Sequence, residues 1–460
     1  MLIVRNIRAR KILPAIEAER AAYGSDWRGT QAEPPAVWQL ARFNKLWADI
    51  TTRIPRYRDL VANKAAPREF DSWAQFSGTL PTTEKSDVRE RPLDLTDPAR
   101  PPEAWRITGG STGEPTHMPK WMSESDLTAI DKNLGRGFYG VTPASKLFTI
   151  WGHHHLLGEG LKGKLNAKVR VFKDWLIGTC RFSAYDLSPA AMRRAGDSIL
   201  SLRPDFIISY SGALELLARA NEDRAAAFAH LKLKCAIGTG EVFPNDDGPA
   251  LVSRVLGCPV AMEYGSVETD ILAHTTPDFP VPAGAIVNGF RTFWRRYFLE
   301  VEPAGPGGER PLLVTSLYPR AMPLVRYRIG DFVRLYEGDA PHAITRFAAV
   351  IGRSNSYVEL ADGTRVHTMG VKHCVEGLAH VARFQIVQSP RANELRVILA
   401  GPGAPGASGD ACDAARKVVE MHIRSKAAIL HPDLAQIGVA FDKDLIQTRA
   451  GKTPLIAKID

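Results

Sequence analysis

Three glycines and three hydroxyl-bearing residues share eight positions in Thr108-Gly-Gly-Ser-Thr-Gly-Glu-Pro115. Glycine allows close approach and left-handed dihedrals, so a loop of this composition can turn its backbone N–H groups toward an anion. Ser111 and Thr112 add hydroxyl donors. The fitting guest is a phosphate chain. The loop is not of the Walker type, because Thr116 follows Pro115 and no Gly-Lys-Ser/Thr is present.

Five more short motifs follow along the chain. Gly238-Thr-Gly-Glu241 can bring backbone close to a flat ring. Tyr264-Gly-Ser-Val-Glu268 sets an aromatic face, a glycine and a carboxylate together. Tyr264 can stack on a base, and Glu268 can hold Mg²⁺, an ion that takes one or two carboxylates alongside phosphate oxygens. Tyr327-Arg-Ile-Gly-Asp331 ends on a carboxylate able to accept both hydroxyls of a ribose. Gly352-Arg353 offers a cation for ribose or phosphate, and Asn355 tolerates the dihedrals of a hinge. Ala450-Gly-Lys452-Thr-Pro454 places an ammonium on a Gly-flanked turn, where it can neutralise developing charge. Taken singly, each motif is also an ordinary turn, linker or solvated chain end.

These residues need elements to hold them. Residues 1 to about 50 read as helical, 52–60 (TRIPRYRDL) as a connector, and Thr83 as the cap of a short helix. From Leu147 onward strands and helices alternate: strands at 147–151, 167–172, 205–210, 235–238 and 259–264, helices at 189–202, 213–221 and 248–256. This alternation predicts a parallel α/β sheet, whose ligands bind beyond the carboxyl ends of the strands. Beyond residue 280 the pattern is β-rich and predicts a smaller barrel-like unit. After Gly352 it changes again, to a strand–Asp-Gly–strand hairpin followed by α+β elements. The expected organisation is a large multilayered α/β domain over 1–351, a polar linker at 352–356, and a small α+β domain over 352–460.

Composition narrows the function classes. No apolar run approaches the roughly 18 residues of a membrane span, and the N-terminus reads as an amphipathic helix rather than a secretory signal. Five scattered cysteines form no C-x-x-C pair, which argues against a zinc ribbon or a disulfide framework and fits a reducing cytoplasm. The net charge of +9 suits a polyanionic ligand such as a nucleotide, but no dense basic run interleaved with aromatics points to nucleic acid.

Read in order, TGGSTGEP, GTGE, YGSVE, YRIGD, GR-S-N and GK resemble the core motifs of the adenylate-forming superfamily of acyl-CoA synthetases, nonribosomal adenylation domains and luciferases. IPRYRDL, LPTTEKSDVRE, RPDFIISYSGALELLARA and the ELADGTRV hairpin are similar to the phenylacetate–CoA ligase and CapK-like branch. The resemblance runs from near Thr52 to near the C-terminus. It implies that Thr108, Gly110, Ser111, Thr112 and Gly113 hold the ATP phosphates. Gly238, Thr239, Gly240 and Glu241 would line the adenine, with Tyr264 stacked on it and Asp331 and Arg353 at the ribose. Glu268 would bind Mg²⁺, Lys452 would bridge the acid and the α-phosphate, and Asn355 would be the hinge of a mobile C-terminal lid. Trp151, His153, Tyr210, Ser211, Gly212 and Gly265 fall at the acyl pocket. Three consecutive histidines, His153 to His155, cannot face one ion from a strand, since alternate side chains point oppositely.

The chain departs from the pattern at Gly109, where Ser or Thr is common, at Thr116, where Lys is common, and at Asn355, where Asp or Lys is usual. Lys120 lies a few residues beyond the loop. The resemblance implies an ATP-dependent ligase that joins a small carboxylic acid to a thiol, with coenzyme A as acceptor. Two other readings share the same residues: transfer to a carrier protein or an amine, and a non-catalytic nucleotide- or partner-binding member.

Overall fold

The computed structural model describes residues 2–24, 27, 29, 34–107, 117–151, 169–170, 173–184, 187–305, 308–353, 357–359, 365–367, 371, 374–375, 378, 381–389, 393–399, 408–430, 434, 436–441, 443–447 and 453–459. The chain opens with helices α1 (Leu2–Tyr23) and α2 (Pro35–Arg53). In α2 the buried residues Phe43, Leu46, Trp47 and Ile50 recur at three- and four-residue spacing, which gives one apolar stripe. The stretch expected as a connector at 52–60 instead contains helix α3 (Pro55–Ala62). Its proline sits in the first turn, where the missing N–H costs no intrahelical bond. After α4 (Trp73–Thr79), helix α5 (Lys85–Glu90) is capped by Glu84 rather than Thr83, and the Glu84 N–H donates to Asp87 Oδ2 at 3.0 Å. Thr83 instead ties this segment to the β-rich part of the chain. Its hydroxyl donates to the Val325 carbonyl at 2.9 Å, and its backbone pairs with Tyr327.

Strands β1 (Ala104–Ile107) and β2 (His117–Lys120) pair antiparallel, with Ile107 opposite His117. Helix α6 (Met122–Gly137) follows, then β3 (Leu147–Trp151). Of the strand expected at 167–172, residues 169–170 are helical and the other four lie outside the described residues; α7 (173–177) follows, and a strand comes later, at β4 (Thr179–Ser183). Helix α8 (Pro189–Leu202), β5 (Phe206–Tyr210), α9 (Ser211–Arg219), α10 (Ala225–Ala229), β6 (Ala236–Thr239), α11 (Gly248–Leu256) and β7 (Val260–Ser266) continue the alternation. Ser188 caps α8 by accepting the Ala191 N–H, and Gly257 closes α11 in the left-handed conformation at φ 65°.

Then the sheet changes sense. Strand β8 (Asp270–Thr275) returns antiparallel to β7, and β9 (Phe290–Thr292) is antiparallel to β8. After β10 (Tyr297–Val301), β11 (Arg310–Ser316) and β12 (Tyr327–Arg334), β13 (Arg346–Phe347) pairs back onto β9. Among the described residues this gives an eight-stranded sheet in the order β13-β9-β8-β7-β6-β5-β3-β4, parallel from β7 to β4. The β-rich stretch also forms a four-stranded antiparallel sheet, β10-β11-β12-β14, where β14 is Ala349–Arg353. Gly352 and Arg353, expected in a linker, therefore belong to a strand, with Arg353 directly opposite Asp331. One large hydrophobic cluster runs from Phe43 to Phe347 beneath these sheets.

Beyond it, β15 (Tyr357–Glu359) and β16 (Arg365–His367) form the expected hairpin. Strands β17 (Val381–Gln388), β18 (Asn393–Leu399), β19 (Gly438–Phe441) and β20 (Ile456–Lys458) make a sheet in the order β19-β18-β17-β20. Helix α12 (Asp410–Leu430) buries Cys412, Val419, Ile423 and Ala427. These residues from Val358 onward have a hydrophobic cluster of their own. No described helix is long and apolar enough to cross a membrane.

Candidate active site

Parallel pairing brings the carboxyl ends of β3, β5, β6 and β7 level: Ile150 lies opposite Ser209, Tyr210 opposite Thr239, and Thr239 opposite Glu263. Three predicted segments meet at this edge. The Trp151 and Tyr210 rings lie 4.2 Å apart at 30°, an aromatic wall at the foot of α9. Just past it, the Ser211 hydroxyl donates to the Glu241 carbonyl at 2.9 Å and the Gly212 N–H donates to Glu241 Oε1 at 3.1 Å. The GTGE turn is thus laced to the start of α9. A Cβ on Gly238 would lie 2.6 Å from Ser211 Oγ and 3.2 Å from Phe243, so this position admits only glycine without displacement. Gly240 turns the chain at φ 78°.

The YGSVE and YRIGD motifs converge beside it. The Tyr264 hydroxyl donates to Asp331 Oδ2 at 2.9 Å, joining residues 67 apart in sequence. The Tyr264 ring is seated edge-on against Phe347 and Phe290 at 5.9 and 6.5 Å. Glu268 is buried at 5% exposure and accepts from the Tyr327 hydroxyl at 3.3 Å, with Lys85 Nζ 3.7 Å from the same oxygen. Its backbone is fixed as well. The Glu268 N–H donates to Ser266 Oγ at 3.2 Å, and Arg320 donates to its carbonyl. Gly265 has no room for a side chain, since a Cβ would fall 1.8 Å from the Asp270 carbonyl. No group of three metal-ligating side chains occurs among the described residues. A lone carboxylate of this kind fits Mg²⁺, which completes its shell with phosphate and water oxygens.

The root of the Thr108–Gly113 loop reaches the same turn. Arg106, on β1, donates to the Val267 carbonyl at 3.4 Å and pairs with Asp270 at 2.7 Å. Lys120, at the end of β2, is buried and 3.3 Å from Asp270; it is committed to that carboxylate rather than open to a ligand. Burial pushes the Lys120 ammonium below its usual pKa, with Asp270 opposing. Burial would raise the Asp270 carboxyl, but Lys132, Arg106 and Lys120 together hold it well below the carboxylate range. The residues Thr108, Gly110, Ser111, Thr112, Gly113, His153, Asn355 and Lys452, and the side chain of Arg353, lie outside the described residues.

Sequence patterns did not point to Lys85, the Tyr327 hydroxyl or Asp270. Lys85 stands in the LPTTEKSDVRE stretch, and a lone lysine in a predicted helix start carries no signal of the carboxylate it will meet 183 positions later.

No protein-family model matches the chain. By structure the chain has the fold of the adenylate-forming ligases. It aligns with 2-hydroxyisobutyryl-CoA ligase in the postadenylation state in complex with 2-HIB-AMP at a TM-score of 0.64 and 15% identity, over 92% of this chain and 89% of that one. It also aligns with an anthranilate CoA ligase in complex with anthranoyl-AMP at 0.52 and 15%, over 76% and 65%. By sequence, a phenylacetate-coenzyme A ligase of Thermus thermophilus is 25% identical over 366 residues, 76% of this chain and 77% of its own. That relative stands in the branch which the motifs resemble.

Proposed function

We propose that this protein is an ATP-dependent, AMP-forming acid–thiol ligase with coenzyme A as acceptor. The observation that carries the reading is the 2.9 Å bond between Tyr264 and Asp331, which sets a ring and a ribose-type carboxylate on one spot beside Glu268. The relatives add to it: the sequence relative is a CoA ligase, and the structural neighbours hold acyl-adenylates.

In the first step a substrate carboxylate oxygen attacks the α-phosphorus of ATP. The bond to the β-phosphate oxygen breaks, and acyl-adenylate and pyrophosphate result. No protein nucleophile is needed, so positioning and charge neutralisation carry the catalysis. Thr239, Gly240 and Tyr264 frame the base, and Asp331 with Arg353 orients the ribose. Ser111, Thr112 and the loop N–H groups grip the β,γ-phosphates, and Lys452 neutralises charge between acid and α-phosphate. Glu268 would hold Mg²⁺, which supplies charge compensation on the phosphates. Lys85 restrains Glu268 and adds a second positive charge at the same place. Trp151, Tyr210 and Gly212 line the acid pocket. In the second step the thiol attacks the acyl carbon, AMP leaves, and the thiol proton is released. The residues that follow β14 form a lid that turns about Asn355 between the two steps.

ATP–pyrophosphate exchange with a panel of aromatic and aliphatic acids tests the reading. Exchange with at least one acid, followed by AMP release on adding CoA, is expected. No exchange with any acid defeats it, and AMP release with an amine but not with CoA reassigns the acceptor.

A further inference from the structure

One carboxylate gathers four elements at the foot of the glycine-rich loop. Asp270 Oδ1 lies 2.7 Å from Arg106 Nη1 and 3.2 Å from Lys132 Nζ. Asp270 Oδ2 lies 3.3 Å from Lys120 Nζ and accepts from the Thr128 hydroxyl at 2.9 Å. Arg106 is on β1 and Lys120 on β2, the two strands that flank the loop, while Lys132 and Thr128 are on α6. Asp270 itself begins β8, two residues after Glu268, and holds φ 60°, a left-handed conformation that a non-glycine residue adopts at a cost. The turn is fixed from other sides too: Arg320 donates to the Glu268 carbonyl and the Tyr297 hydroxyl to the Thr269 carbonyl.

Among the described residues three cations meet this one carboxylate, and the neighbouring carboxylates hold partners of their own: Glu124 with Arg320 at 3.2 Å, Glu263 with Arg136 at 2.6 Å, and Glu268 with Lys85 at 3.7 Å. Screening is weak here because Lys120 and Asp270 are buried to 5% and 11% side-chain exposure.

We infer that Asp270 is a positioning residue for the phosphate chain. It pins both strands that flank the glycine-rich loop, β1 through Arg106 and β2 through Lys120, to the turn carrying Glu268, so that the two strand ends from which the loop springs keep one place relative to that carboxylate. This rests on the proposed role of the loop as the grip on the ATP phosphates.

The test is the affinity of the full-length protein for ATP, pyrophosphate and AMP, measured by calorimetry with Mg²⁺. Asp270→Asn removes the charge and keeps a residue that tolerates the left-handed backbone. Its expected effect is about a tenfold loss of affinity for ATP and pyrophosphate, in the range of coupling within one ion-pair network. AMP lacks the β,γ-phosphates and should bind as to wild type. Arg106→Met, which cuts one tether only, should shift ATP in the same direction and by less. Arg136→Met breaks a comparable ion pair on α6 away from the loop and should leave the ATP/AMP affinity ratio unchanged. A ratio unchanged in Asp270→Asn, or an equal loss for ATP and AMP, overturns the inference and leaves Asp270 a structural ion pair. If Asp270→Asn does not fold, an unchanged ratio in both Arg106→Met and Lys120→Met overturns it instead. Failure of the wild type to bind ATP at all would defeat the proposed function, and the inference with it; wild-type binding with insensitive variants defeats the inference alone.

Discussion

Tyr264→Phe is the most informative single change in this site. Phenylalanine keeps the ring that packs on Phe290 and Phe347 and removes only the hydroxyl that donates to Asp331 at 2.9 Å. Both partners are buried, Tyr264 at 8% and Asp331 at 5% exposure, so water does not readily replace the lost donor. A hydrogen bond to a charged group contributes about 1.5–3 kcal/mol, which corresponds to roughly ten- to hundredfold in a binding or rate constant. Two features decide where the loss appears. Asp331 also sits opposite Arg353 on the neighbouring strand, so its backbone stays in place and the carboxylate loses orientation rather than position. And the carboxylate is proposed to serve the ribose, so the loss should fall on kcat/KM for ATP while KM for the acid is kept. The assay is ATP–pyrophosphate exchange with the best acid, run with ATP and with 2′-deoxy-ATP. The deoxy nucleotide offers Asp331 one hydroxyl fewer, so the Tyr264→Phe penalty should shrink with it. A variant that melts like wild type and keeps kcat/KM for ATP within about twofold would refute the reasoning. An equal penalty with both nucleotides would show that Tyr264 does not act through Asp331.

Three further outcomes are expected. Glu268→Gln keeps the shape of the side chain and removes its charge; exchange should fall by about a hundredfold or more and need higher Mg²⁺ for half-maximal rate, and a wild-type Mg²⁺ titration would remove Glu268 from the metal. Lys452→Ala should lower adenylate formation by about a hundredfold or more without lowering the melting temperature; an unchanged rate takes Lys452 out of the mechanism. His274 is fully buried and burial pushes its pKa below 6.5, with Glu263 pulling the other way. The unfolded chain then takes up the proton first, so the stability contribution is whole above pH 6.5 and is lost as pH falls below it. Melting curves from pH 7.5 to 5 should show a steeper decline for wild type than for His274→Gln; parallel declines would contradict the sign.

What the sequence made legible was local. Helices α8 and α11 could be read to the residue because a Ser cap or a terminal Gly marks the boundary and the apolar spacing fills the interior. Parallel strands read well because both faces are buried and the apolar runs are continuous, as in Phe206–Tyr210. Strand β2 escaped notice because His117–Lys120 is short and contains Pro119. Strand β8 did too, because its reversal uses a left-handed Asp270 and carries no Asn-Gly signal. The 167–172 stretch alternates like a strand, yet neighbouring residues are helical and Thr179–Ser183 takes the edge. At the site, glycines and carboxylates announced themselves by motif, whereas Lys85 and Asp270 gain meaning only from partners far away in the chain, which no local pattern encodes.

Strand order in the main sheet has a consequence for how such a protein diversifies. The strands that carry GTGE and YGSVE, β6 and β7, lie in the interior of the sheet, each hydrogen-bonded on both sides. Of the residues proposed to line the acid pocket, Tyr210 ends β5 in the interior, while Trp151 ends β3, whose neighbour β4 is the outermost strand on that side among the described residues. Changes in β4 disturb one ladder, while the same changes in β3, β5, β6 or β7 would break two. The proposed nucleotide motifs and Tyr210 are thus held at the centre of the sheet, and variation is tolerated best one strand beyond Trp151, at its margin.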